Sequence, residues 1–124
     1  MPIEARYLLS AAMDVEPGKD AIFNELYNDD HIRLLRQVPG VVSVARFKTE
    51  ELTLVIGGVR RTIVVDNEPA YRALWEIESP DVLMSEAWAT TVDSGRWPTE
   101  ARPFTTNRRF TLHRRIYPLS LIHI

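Results

Sequence analysis

The chain has 124 residues, a formal net charge of −2 and 26% charged side chains, the size and balance of one globular domain. A charge this close to neutral argues against a binder that works by neutralising nucleic-acid phosphates. Cysteine is absent, which excludes disulfides, thiolate nucleophiles and cysteine-held metals, and a reducing cytoplasm suits such a chain.

The N-terminal residues carry an early acid, Glu4, and no long apolar stretch, so they do not read as a signal peptide. No apolar run approaches the ~20 residues that a membrane-crossing helix needs. The expectation is a soluble, cytoplasmic protein without nucleic-acid or membrane partners.

In chain order, residues 5–13 form a strand candidate whose two alternating sets, Tyr7/Leu9/Ala11/Met13 and Leu8/Ser10/Ala12, are both small or apolar. Such a strand needs cover on both sides. Pro17 and Gly18 interrupt the chain, and a helix follows over 19–37 with Ile22, Phe23, Leu26, Tyr27, Leu34, Leu35 and Val38 on one stripe. Pro39-Gly40 ends it. Residues 41–48 read as the second strand. The runs 51–56 and 59–65 flank Gly57-Gly58 and read as a hairpin, either prolonging the second strand or forming an arm toward a partner subunit.

Residues 71–78 make the next strand, with Tyr71, Ala73, Trp75 and Ile77 on one face. Ser79-Pro80-Asp81 has the chemistry of a helix start, and the spacing predicts one helix to about Ser94, with Met84, Ala87, Trp88 and Thr91 inward and Gly95 at its cap. An irregular loop over 96–106 holds Trp97 and Phe104, and residues 107–117 form the last strand.

This order predicts an α+β fold, a ferredoxin-like βαββαβ sandwich with an inserted β-hairpin. Helices cover one side of such a sheet, so the open side is expected to pair with an identical sheet in a homodimer. The domain is taken as residues 1–118. The tail, residues 119–124, resembles the translation of a library adaptor and is set aside as non-native.

The informative place is one turn of the first helix. Its inward stripe runs 22/23, 26/27, 30/31, 34/35 and 38, and every turn is apolar except the one that supplies Asp30 and His31. Burying either group without a partner costs on the order of 1–3 kcal/mol. Two readings stand: His31 is a general acid or base in a pocket, assisted by Tyr27 one turn away, or it is a core histidine bonded to main chain.

Elsewhere, Trp75, Trp97 and Phe104 are candidate walls or lids for a planar ligand. Arg46 or Arg72 would hold an anionic group. His113, on a face with Arg109, Thr111 and Arg115, is a candidate to meet His31 across the pocket. The histidines lack metal-ligand spacing, so no metal site is expected. No phosphate loop or nucleophile elbow appears.

The stretch from Phe23 to Phe47 resembles the EthD-like families of dimeric α/β-barrel proteins. It carries an aromatic and acidic turn, then His31, a Leu-rich turn, Pro39-Gly40, and a strand ending Arg46-Phe47. Tyr71 to Ile77, Ser79-Pro80 and Arg115-Ile116 continue the resemblance more faintly. Two departures stand out: Leu26 where many relatives carry tryptophan, and the Gly57-Gly58 hairpin.

The resemblance implies a dimeric α/β barrel and places His31 at the families' recurrent helix histidine. Proteins similar in fold include cofactor-independent monooxygenases, muconolactone-type isomerases, polyketide cyclases and haem binders. The expectation is therefore an enzyme without a cofactor, an isomerase, lyase, cyclase or monooxygenase acting on a small cyclic or aromatic metabolite. A non-catalytic dimeric ligand-binding or accessory protein of a catabolic pathway is the alternative, with haem binding as a third option.

Overall fold

The computed structural model describes residues 3–119. Of the tail set aside above, residues 120–124 lie outside the described residues. Six strands form, β1 (Tyr7–Val15), β2 (Val41–Lys48), β3 (Leu52–Ile56), β4 (Val59–Ile63), β5 (Tyr71–Ile77) and β6 (Thr105–Arg114). Four of them make one antiparallel sheet in the order β2-β5-β1-β6. With the hairpin set apart, this is the ferredoxin-like strand order. β3 and β4 pair only with each other, so the hairpin is a separate arm rather than a prolongation of β2. Its two-residue turn needs positive φ at both positions, which Gly57 (61°) and Gly58 (77°) supply.

The first helix is continuous over 20–35 but not uniform. α1 (Asp20–Leu26) leads into a π-helical turn, Tyr27–His31, and then α2 (Ile32–Leu35). At that turn the Ile32 amide reaches the Tyr27 carbonyl, five residues back. The wider turn brings Tyr27, Asp30 and His31 inward together, and all three are buried. Such bulges recur at functional positions because they re-aim a segment's side chains.

The second helix departs from expectation. Instead of one helix over 79–94, a 3-10 turn (Pro80–Met84) stops at Ser85, and α3 (Glu86–Val92) restarts there. Ser85 is extended, at φ −72° and ψ 153°; its Oγ donates to the Val82 carbonyl and accepts from the Trp88 amide. A serine that caps a new helix cannot also sit inside the old one. The inward position therefore passes to Val82, while Met84 is 81% exposed. The loop before β6 is also more ordered than expected, with α4 (Trp97–Glu100) and a 3-10 turn, Arg102–Phe104.

Strand alternation divides the sheet. Tyr7, Leu9, Ala11 and Met13 of β1 pack toward the helices, as do Tyr71, Ala73, Trp75 and Ile77 of β5. Phe23, Leu26 and Leu35 close over them with about 1% of their surface exposed. The opposite face is not the apolar surface that β1 alone suggested. Ser10 and Ala12 are already buried within the single chain, and Arg72 and Glu76 join a polar network there.

Candidate active site

A cavity of about 500 Å³ opens between the helices and the sheet, within the range of small-molecule sites. It exists because Ala11 puts a small side chain on the floor, beside Leu9 and Met13. No residue of α3 is fully buried, although Ala87, Trp88 and Val92 pack against the core and Trp88 meets Trp75 of β5 edge-on at 6.0 Å. Trp88 and Val92 of α3 and Leu83 form the far wall, and Tyr27, His31 and Leu35 the near one.

His31 is 7% exposed and lines this cavity. Its surroundings are aromatic. The Trp97 indole stacks on the imidazole at 4.5 Å and 19°, while Tyr27 and Trp75 meet it edge-on at 5.3 and 6.2 Å. Burial pushes its pKa down from 6.5 to about 4; the Arg102 charge adds to that, and Asp30 opposes it. The ring is neutral at neutral pH. Tyr27, 3% exposed, is pushed up to about 12 by burial, against smaller pulls from the Trp75 indole and Arg46. Its hydroxyl keeps its proton and is available as a donor.

Asp30 turns away from the cavity and holds the loop that delivers Trp97. Its Oδ2 accepts from the Arg96 amide at 2.9 Å and the Trp97 amide at 3.1 Å. The loop approaches so closely at Gly95 (φ 74°) that a Cβ there would lie 2.5 Å from that same oxygen. A carboxylate on the helix thus caps the start of α4 and sets the indole against the imidazole.

Of the residues singled out from sequence, His31, Tyr27, Trp75 and Trp97 line one cavity, and the other four lie elsewhere. Arg46 sits behind Tyr27, its guanidinium 4.4 Å from that ring and bonded to Asn24 and Asn28 at 3.0 and 2.9 Å. It faces a second, shallower groove with Lys48 and Tyr71. Arg72 is on the opposite face of the sheet, bonded to Ser10 and Glu68. His113 is exposed on that opposite face and bonds Thr111 at 2.8 Å, because odd positions of β6 point away from the helices. Phe104 lies under the Lys19 ammonium, 4.4 Å from it.

The cations at the cavity are instead Arg102 and Arg108. Arg102 donates to Asp93 at 2.8 Å and to the Val92 carbonyl at 2.7 Å, a cation on the C-terminal end of α3. Arg108 shares its face of β6 with Phe110, and Phe110 pairs with Ala11 of the floor. Residue i+2 alternation links Arg108 to Phe110 in the sequence, but only the register with β1 shows which face is the cavity. Among the described residues no cluster of three or more His, Asp or Glu forms a metal cage.

These features define the class: a ferredoxin-like α+β domain with a small-molecule-sized cavity between helix and sheet. Among solved structures it is similar to the crystal structure of an ethyl tert-butyl ether D (EthD) family protein from Bacillus halodurans C-125. The TM-score is 0.53 and the identity 10%, over 89% of this chain and 99% of that one. At that identity the likeness establishes the fold, the one the Phe23–Phe47 segment implied. No family model and no curated protein matches the sequence.

Proposed function

We propose that this protein is a cofactor-independent acid–base enzyme acting on a small cyclic or aromatic metabolite, with His31 moving the proton. The observation that carries the reading is a buried, neutral imidazole lining a cavity of about 500 Å³. In the simplest step, His31 takes a proton from a carbon beside a carbonyl. The C–H electron pair moves into the carbonyl, and the resulting enolate oxygen accepts a hydrogen bond from Tyr27. Returning the proton to another carbon completes an isomerisation, and expelling a leaving group completes an elimination. Neither needs an added co-reactant.

A base of pKa about 4 has less driving force than one near 7. Negative charge developing on the substrate raises it at the moment of transfer. Trp97 stacked on one face of the ring restrains its rotation, so the transferring nitrogen keeps one direction.

The working unit in this reading is a homodimer. Support comes from the β3–β4 arm, where Val55 and Ile56 are 67% and 50% exposed, and from Phe47 at 54%. A lone two-stranded hairpin is marginal in water and gains by docking. Light scattering on the full chain tests this: a dimer that becomes monomeric when 52–63 is replaced by a short Gly-Ser link agrees, and a monomeric parent refutes it.

The test of function begins with a thermal-shift screen of aromatic and lactone metabolites, since a ligand specific to the folded state raises Tm. Turnover of the hits follows. His31→Ala is expected to lower it by ~10²–10⁴-fold while the circular dichroism spectrum is kept. Unchanged turnover in that variant removes the mechanism and leaves a ligand-binding module.

A further inference from the structure

We propose that the cavity selects a flat, apolar molecule bearing one acidic group, which Arg102 and Arg108 hold at its rim. This rests on reading the cavity as a small-molecule site and goes on to name the chemistry of the molecule.

Three charged residues line the cavity, Asp93, Arg102 and Arg108. Asp93 is already bonded to Arg102 at 2.8 Å, so those two largely cancel. Arg108 has no ion-pair partner among the described residues. The rim therefore carries an uncompensated positive charge. Arg102 adds donors to it: its bonds to Asp93 and Val92 use two N–H groups, and a guanidinium has five.

Apart from Tyr27, His31 and Thr105, which carry no charge to pair with an acid, the remainder of the lining is apolar or aromatic. Leu9, Met13, Leu83, Val92 and Phe110 are apolar, and the tryptophans offer flat faces. A neutral apolar guest would cover Arg108 without satisfying it, and a cationic guest would meet like charge. A planar carboxylate satisfies both ends, with ring against indole and acid against guanidinium in the fork geometry that arginine favours.

The experiment uses the full chain and two probes of equal shape, 2-naphthoate and its neutral amide, 2-naphthamide. Binding is read by isothermal titration calorimetry and by fluorescence, because all three tryptophans of the chain line the cavity. The acid is expected to bind at least about tenfold more tightly, with a preference that shrinks as salt is raised. Arg108→Gln and Arg102→Gln should each erode that preference, and Lys48→Gln, outside the cavity, should preserve it. Arg102 also caps α3, so if its variant misfolds, the exposed Arg108 carries the test. Equal affinity for acid and amide overturns this inference and leaves the cavity reading standing. A preference that survives Arg108→Gln overturns it too. Binding of neither probe removes the cavity reading and this inference together.

Discussion

On the face of the sheet turned from the helices, the polar residues bond to one another. Glu76 accepts from Ser43 and from the Glu4 and Ala5 amides, and Arg72 joins Ser10 to Glu68. On the helix face, His31 is equally buried, yet its ring finds only aromatic surfaces and a cavity. Both faces bury polar groups, a cost that folding has to offset. The outer network offsets most of it with protein hydrogen bonds, although Arg115 Nη2 beside Glu76 is buried without a partner among the described residues. His31 instead borders a space that a guest can fill. Buried polarity alone therefore does not mark a site; buried polarity beside a void does.

Three measurements sharpen this contrast beyond the loss of turnover in His31→Ala. The largest expected effect is acid sensitivity arising from His31. The unfolded chain takes up that proton near pH 6.5, while the folded one resists until about 4. Between those values the unfolded state binds more protons, so acidification costs stability, up to about 3 kcal/mol. Denaturant midpoints across this window should fall in the parent and stay nearly level in His31→Gln. A parent that is level as well would mean that the imidazole is not desolvated.

Next in size is Glu76→Ala, which strands two amides and a hydroxyl of the outer network. A loss of about 2 kcal/mol is expected in urea unfolding, with no change in naphthoate affinity, because the network lies across the sheet from the cavity. A shift in affinity would show the two faces to be coupled. Burial raises the Glu76 pKa, but the Ser43 hydroxyl, the two amides and Arg115 outweigh it and hold the group below the usual carboxylate value. Its contribution is therefore present above that value and lost as the pH falls through the lowered one.

The smallest effect is Ser85→Ala, which removes the cap where α3 restarts. About 1 kcal/mol is expected. Because α3 carries Trp88 and Val92 of the cavity wall, naphthoate binding should weaken modestly along with stability. Full retention of binding would separate the shape of the cavity from the cap.

Much of the fold was legible in the residues. Alternation on β1 and β5, the helical stripe from Ile22 to Val38, and Pro39-Gly40 and Gly57-Gly58 at the breaks led to the strand–helix order. The break at Ser85 was not legible, because a serine inside an amphipathic pattern reads the same whether it caps a helix or rides on one. At the site, the polar turn at Asp30-His31 stood out from its oily neighbours, and Tyr27, Trp75 and Trp97 accompany it. Arg46, Arg72, Phe104 and His113 were plausible partners by residue type, and the fold sends each of them elsewhere.

Periodicity is a local property, so the sequence by itself determined which side chains turn inward along each element, His31 among them. Which inward groups meet was decided by strand register and by the π turn: Phe110 opposite Ala11 brings Arg108 to the cavity, and the turn buries Tyr27 and His31 toward the cavity and Asp30 against the Arg96 and Trp97 amides. Register and bulge depend on contacts between residues far apart in the chain, and only the tertiary structure contains those.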